Sequence, residues 1–277
     1  MNAFGRIRDE RRHSALLRRL LLVLAEGGEP LEIDPVKDGE AIELLSRLTR
    51  QVKIDSPEHR RLLKACEEGG TVTAAMDALG SADSGIRRRG ALLCGALQLE
   101  RALPWLELAI VDRNFAVRRA AAGAAGRIGG LRASDALLRA VHARRLPHAR
   151  AAVELSRAAP DLYVEERLRD SAHATAGPVL AMAAGLRRRR SSLEPLLDGL
   201  QGAKRRERAL RCRALGRLQD PAAAPTLLRM ARHDTSPQVR QAALRALRDL
   251  RIEVPVVAPG PFPATASQAP QRTAMAR

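Results

Sequence analysis

The chain has 277 residues, 45% of them hydrophobic, which suffices for one large or two ordinary domains and excludes a short peptide or a wholly disordered tail. Three Phe, one Trp and one Tyr exclude an aromatic cage or stacking platform and argue against a packed sheet sandwich, so an all-helical chain is expected. The formal net charge of +17 points toward a polyanion, yet only Lys37, Lys53, Lys64 and Lys204 are lysines, a skew to arginine that a GC-rich coding sequence produces without any selection for binding.

Residues 1–52 follow no repeat. An amphipathic helix from about Asn2 to Ala25 ends at Gly27 and Gly28, and the segment reads as an N-terminal helical cap over the first hydrophobic face. The apolar run Leu20 to Ala25 is interrupted upstream by Arg18 and Arg19 and is too short for a bilayer span or a signal-peptide core, so no membrane span is expected and the cytoplasm is the expected location. Asp34 and Asp38-Gly39 suggest a calcium loop, but Val36 and Leu45 stand where oxygen ligands are required, and no metal is expected there.

Residues 53–253 repeat. The stretches beginning at Asp112 and Asp234 both place Asp six residues before an Arg that follows a Val. With Arg118 and Arg240 as anchors, equivalent positions fall at Arg60, Arg87, Arg150 and Arg208, with Pro178 in a degenerate slot, at spacings of 27 to 32 residues. Each unit has room for two helices and two turns. Val117, Ala121, Ala124 and Ile128 lie on one helical face, and Ile86, Gly90, Leu93 and Leu97 repeat it one unit earlier. Gly95, Gly126 and Gly216, eight residues past their anchors, mark a close helix approach or a helix end. The second helices read as Leu103 to Val111, Ala133 to His142, Ser192 to Leu200 and Ala222 to Arg232. Asp112, Arg118, Arg150, Arg208, Asp234 and Arg240 are read as structural anchors: the aspartates near helix N-termini, the arginines reaching acceptors on an adjacent unit in a ladder. Residues 254–277 carry Pro255, Pro259, Pro261, Pro263 and Pro270 and read as a disordered tail.

The segments VRRAAAGAAGRIG, RALRCRALGRLQDPAAAPTLLRMARHD and VRQAALRALRDL closely resemble HEAT-like repeats of the phycobilisome-lyase type, over roughly residues 53 to 252. The resemblance implies an all-α solenoid of about seven helical hairpins wound into a right-handed superhelix, used chiefly for protein association. It further implies that the anchor-bearing helices line the concave surface. Some members of the family assist bilin attachment, and relatives of the architecture repair alkylated DNA.

The charge is unevenly placed. The anchor-bearing helices hold 21 arginines against Glu154, Glu207 and Asp249, whereas residues 1–52 are balanced with nine basic and nine acidic groups. Arg127, Arg157, Arg187 to Arg190, Arg217 and Arg248 lie near helix C-termini, where they complement the helix dipole. Removing these and the anchors leaves Arg88, Arg89, Arg119, Arg205, Arg206, Arg211, Arg213 and Arg245 as the candidate partner-binding surface. The expected partner is a protein with an acidic segment. Nucleic acid held through its phosphates is the alternative, and a bilin-lyase-like accessory role, carried only by the resemblance, is a lesser one.

No catalytic signature or cofactor motif is present, and no cofactor is expected. The six histidines are scattered, without metal-ligand spacing along a helix. A glycosylase-like constellation would have only Trp105 beside Glu107 and Asp112. Cys66, Cys94 and Cys212 are far apart and read as buried thiols. The expectation is a non-enzymatic scaffold.

Overall fold

The computed structural model describes residues 3–252, with side chains described from Ser14 onward save Leu16, Ser171 and Ala172. The expected Pro-rich tail lies outside the described residues. The helices are α1 Ala3–Glu26, α2 Gly39–Leu48, α3 Pro57–Glu68, α4 Thr71–Leu79, α5 Ser84–Ala96, α6 Leu103–Ala109, α7 Phe115–Ile128 and α8 Gly130–His142. They continue with α9 His148–Ala158, α10 Tyr163–Arg169, α11 Gly177–Arg187, α12 Leu193–Asp198, α13 Arg205–Leu218, α14 Ala224–His233 and α15 Pro237–Asp249. Short polar residues start several of them. Asp83 accepts from the Gly85 and Ile86 amides, and Asn114 from the Ala116 amide, satisfying donors that the first helical turn leaves open.

Six hairpins stack, α4–α5 through α14–α15, each pairing an outer helix with an inner one. The inner helices α5, α7, α9, α11, α13 and α15 pack closely on one another in succession, while the outer helices meet more loosely. Small residues permit the close approach. A Cβ on Gly95 would lie 2.7 Å from Ala124 Cα, one on Gly185 2.9 Å from Ala214 Cα, and one on Gly216 2.7 Å from Ala246 Cα.

These contacts set the register of every inner helix, and in two of them it differs from the expected one. Gly126 abuts Glu154 as Gly95 abuts Ala124, which puts His148 in the anchor slot of α9; Arg150 sits two residues further on and pairs with Glu154 of its own helix at 3.0 Å. Gly185 likewise puts Gly177, not Pro178, in the slot of α11. The same register recurs at the helix ends. A residue with positive φ lies eleven positions past the anchor at Gln98, Gly129, Arg188, Gln219 and Arg251. Arg248 of α15 stands where α5, α7, α11 and α13 have their contact glycine, and it is exposed, so the last unit presents a charged end to solvent.

The described hairpins number six, against about seven expected. Helix α3, which carries Arg60, packs on α1 and α4 and reaches the end of α5 through His59, whose Nε2 lies 3.0 Å from the Leu97 carbonyl oxygen. Before α3, helix α1 packs on α2 and on α3. Helix α2 also packs against α5, three helices further along the chain. A single apolar core runs from Leu20 to Leu247, and Leu215 and Leu247, equivalent in their units, are both fully buried.

Candidate partner-binding surface

Anchor arginines act as structural clamps. Arg60, Arg87, Arg118, Arg208 and Arg240 each direct Nη1 to a backbone carbonyl five or six residues earlier, closing the turn before their helix. Three also cross to the next unit. Arg87 holds Asp112 through two bonds of 2.8 and 3.2 Å, Arg208 holds Asp234 through bonds of 2.8 and 3.0 Å, and Arg118 Nε donates to the Arg145 carbonyl at 3.0 Å. Arg240 has no such crossing; its partners are Asp234 and Thr235 of its own turn. Asp112 and Asp234 do not cap their helices directly but accept from the amides of Asn114 and Ser236 two residues on.

Because the other sides of the inner helices are packed, what they show to solvent is the inner surface. In the register above three rows of equivalent positions run along it, with Ala96 and Ala209 buried. The first runs Arg88, Arg119, Ala149, Pro178, Ala209, Gln241; the middle one Leu92, Gly123, Val153, Met182, Arg213, Arg245; the last Ala96, Arg127, Arg157, Leu186, Arg217, Asp249.

The candidate arginines divide sharply on these rows. Arg211 is buried, 4% exposed, bound to Glu207 through Nε and Nη2 at 2.9 and 2.7 Å and to the Pro195 carbonyl at 2.8 Å, so it belongs to the core and not to a binding surface. Arg88 pairs with Glu43 of α2, and the half-buried Arg89 stacks beside Gly39. Arg119, Arg205, Arg206, Arg213 and Arg245 are exposed, and none makes an ion pair among the described residues.

Arg127 serves a role other than complementing its helix dipole. Its Nη1 donates to the Ser46 carbonyl and its Nη2 to Thr49, to the carbonyl at 2.8 Å and the hydroxyl at 2.6 Å. Burial, with Arg50 and Arg157 close by, pushes its pKa down to about 10. Arg217, set aside by sequence as a helix-end residue, stays exposed in the last row beside Arg213.

Helix α13 opens with Arg205 and Arg206 after Lys204, against the preference of a helix N-terminus for negative charge. Glu207, its one acidic group in that turn, is engaged with Arg211. Folding gives these two arginines no local partner.

Among known families, the one described as HEAT repeats matches residues 72–156 and 164–255, more than half of the chain. The chain belongs to the HEAT-repeat family. A comparison with curated proteins finds none that matches. HEAT repeats form scaffolds for protein association and are generally non-catalytic, and both matched segments fall on the six stacked hairpins.

The sites weighed in the sequence resolve simply in this HEAT-repeat chain. Glu107 is held by Arg132 and Arg139, and Asp112 by Arg87, while Trp105 stands on an outer helix. Asp34 accepts from the Val36 amide and pairs with Lys37, leaving no ligand cage. His142 and His173, from different units, do meet, with Nε2 and Nδ1 3.2 Å apart, but no group of three His, Cys, Asp or Glu suited to a metal exists among the described residues. Cys66, Cys94 and Cys212 are buried free thiols, each pushed up to about 12 by loss of solvent. No described helix is long and apolar enough to cross a membrane.

Proposed function

We propose that this chain is a non-catalytic HEAT-repeat adaptor that holds an acidic segment of a partner protein on the inner surface of its last units. One observation carries the reading. Arg213, Arg217 and Arg245 are exposed and unpaired in the middle and last rows of α13 and α15, whereas Arg88 and Arg127 are engaged by α2, and Arg150 and Arg157 by Glu154. A surface that engages most of its arginines internally at one end, Arg119 excepted, and leaves them open at the other is selective about where charge is presented. The phycobilisome-lyase likeness rests on motif residues such as Arg118, Arg208 and Asp234, which here clamp turns and join units, so no bilin chemistry is attached to them.

The test is reversal of charge at Arg213, Arg217 and Arg245 together, Arg211 being excluded because it is internal. Affinity capture with the full chain recovers a defined protein, and the triple glutamate variant loses it while its melting temperature stays within a few degrees, as expected for exposed sites. Retention of the same partner by the triple variant removes the inner surface from the reading. Recovery of nucleic acid instead, with log K falling against log salt at about −0.9 per phosphate neutralised, assigns the same arginines to phosphate contacts.

A further inference from the structure

The first two units of the inner surface are not bare, and what covers them is a helix of this chain. Helix α2 has ten residues, GEAIELLSRL, with Ala41, Ile42, Leu44 and Leu45 buried and Glu40 exposed. It packs on α5. Glu43 pairs with Arg88 of the first row, and the carbonyls of Ser46 and Thr49 receive Arg127 of the last row. The inner surface therefore already holds one amphipathic helix, fixed by an acidic side chain at one row and by the helix C-terminus at another.

Among the described residues nothing covers the same rows across the later units. Val153 and Met182 follow Leu92 and Gly123 in the middle row, and Leu186, 41% exposed, follows Arg157 in the last. Helix α11 contributes Pro178, Met182 and Leu186 at steps of four and no charge before Arg187, so it forms an apolar strip. On its α13 side stand Arg213 and Arg217, both unpaired; on its α9 side stands Arg157 with Glu154.

We infer that this strip is the seat for a short amphipathic helix of a partner protein, bound as α2 is bound: apolar residues on Val153, Met182 and Leu186, acidic residues and the helix C-terminus toward Arg213 and Arg217. The inference deepens the adaptor reading and rests on it. An extended acidic chain or a nucleic acid satisfies the arginines but leaves the strip wet, whereas an amphipathic helix uses both.

The probes are three synthetic peptides of about 14 residues, enough for about four helical turns. One carries leucines at i, i+3, i+4 and i+7 with glutamates beside them; the second has the same composition scrambled; the third is glutamate throughout. Binding to the full-length chain is followed by fluorescence anisotropy, together with a single-stranded DNA oligonucleotide. The amphipathic peptide binds about tenfold tighter than either control and gains helical circular dichroism on binding. Leu186→Gln, at an exposed position, and Met182→Gln each erase that advantage and leave the all-glutamate peptide unaffected. Equal binding of the amphipathic and scrambled peptides overturns the helix seat while sparing the basic surface. No peptide binding even at low salt overturns the adaptor reading beneath it. DNA binding tighter than every peptide assigns the surface to nucleic acid and ends the proposal.

Discussion

An anchor arginine such as Arg208 divides its donors between two units: Nη1 to the Ala203 carbonyl of its own turn, Nε and Nη2 to Asp234 of the next. Bidentate pairing of this kind is stronger and more directional than a lysine could provide. Hydrogen bonds from Arg208 outweigh burial and hold the Asp234 carboxyl below its ordinary range. Burial alone would raise Asp112, but Arg87 and the Asn114 amide overcome it and bring that carboxyl down as well. A carboxylate with a lower pKa folded than unfolded contributes stability above its unfolded value and loses it as the pH falls through the folded one. On this account the contribution of these two carboxylates to the melting temperature is level between about pH 5 and 7 and drops below about pH 4, where a free aspartate takes up its proton. The double variant Asp112→Asn/Asp234→Asn starts lower at neutral pH and falls less steeply in acid. An acid limb of unchanged slope in that variant assigns the loss to other carboxylates.

At the scale of the helix, the inner layer was legible because one face of each unit repeats small and branched residues at steps of three and four. The expected face Val117, Ala121, Ala124 and Ile128 lies wholly within α7, Phe115–Ile128. The register of α9 and α11 was not legible. Neither has an arginine in the anchor slot, and only the contact of Gly126 with Glu154, and of Gly185 with Ala214, reveals that His148 and Gly177 occupy it. Arg211 carried a usable signal in its four-residue spacing from Glu207, the spacing of a helical ion pair. Arg127 carried none, since its acceptors lie 78 and 81 residues away in the chain. The glycines read as points of close approach make a direct demand on helix spacing. Gly216→Ala places a methyl group 2.7 Å from Ala246 Cα, so α13 and α15 must separate, at a cost of about 1–3 kcal/mol measurable by chemical denaturation. A loss no greater than that of an exposed substitution would mean the layer yields freely there.

For the whole molecule, the stack is quasi-linear: each inner helix leans on the one before and the one after, and among the described residues no substantial packing joins the two ends. The exception is at the front, where Arg127 ties α7 to the turn after α2 and joins α2 to the first two units. Stability is therefore expected to be local at the back and shared at the front. Leu215 is fully buried in α13, and Leu215→Ala removes apolar contact that neighbouring helices cannot restore, costing about 2–5 kcal/mol. In a linear stack that cost falls on the hairpins that touch α13. Native-state hydrogen exchange should show protection lost across α11 to α15 in the variant, with α4 to α7 exchanging as in the parent chain. Uniform loss along the chain would mean that the units unfold as a single cooperative body, and that the strap from Arg127 is one of several long-range ties rather than the feature that distinguishes the front from the back.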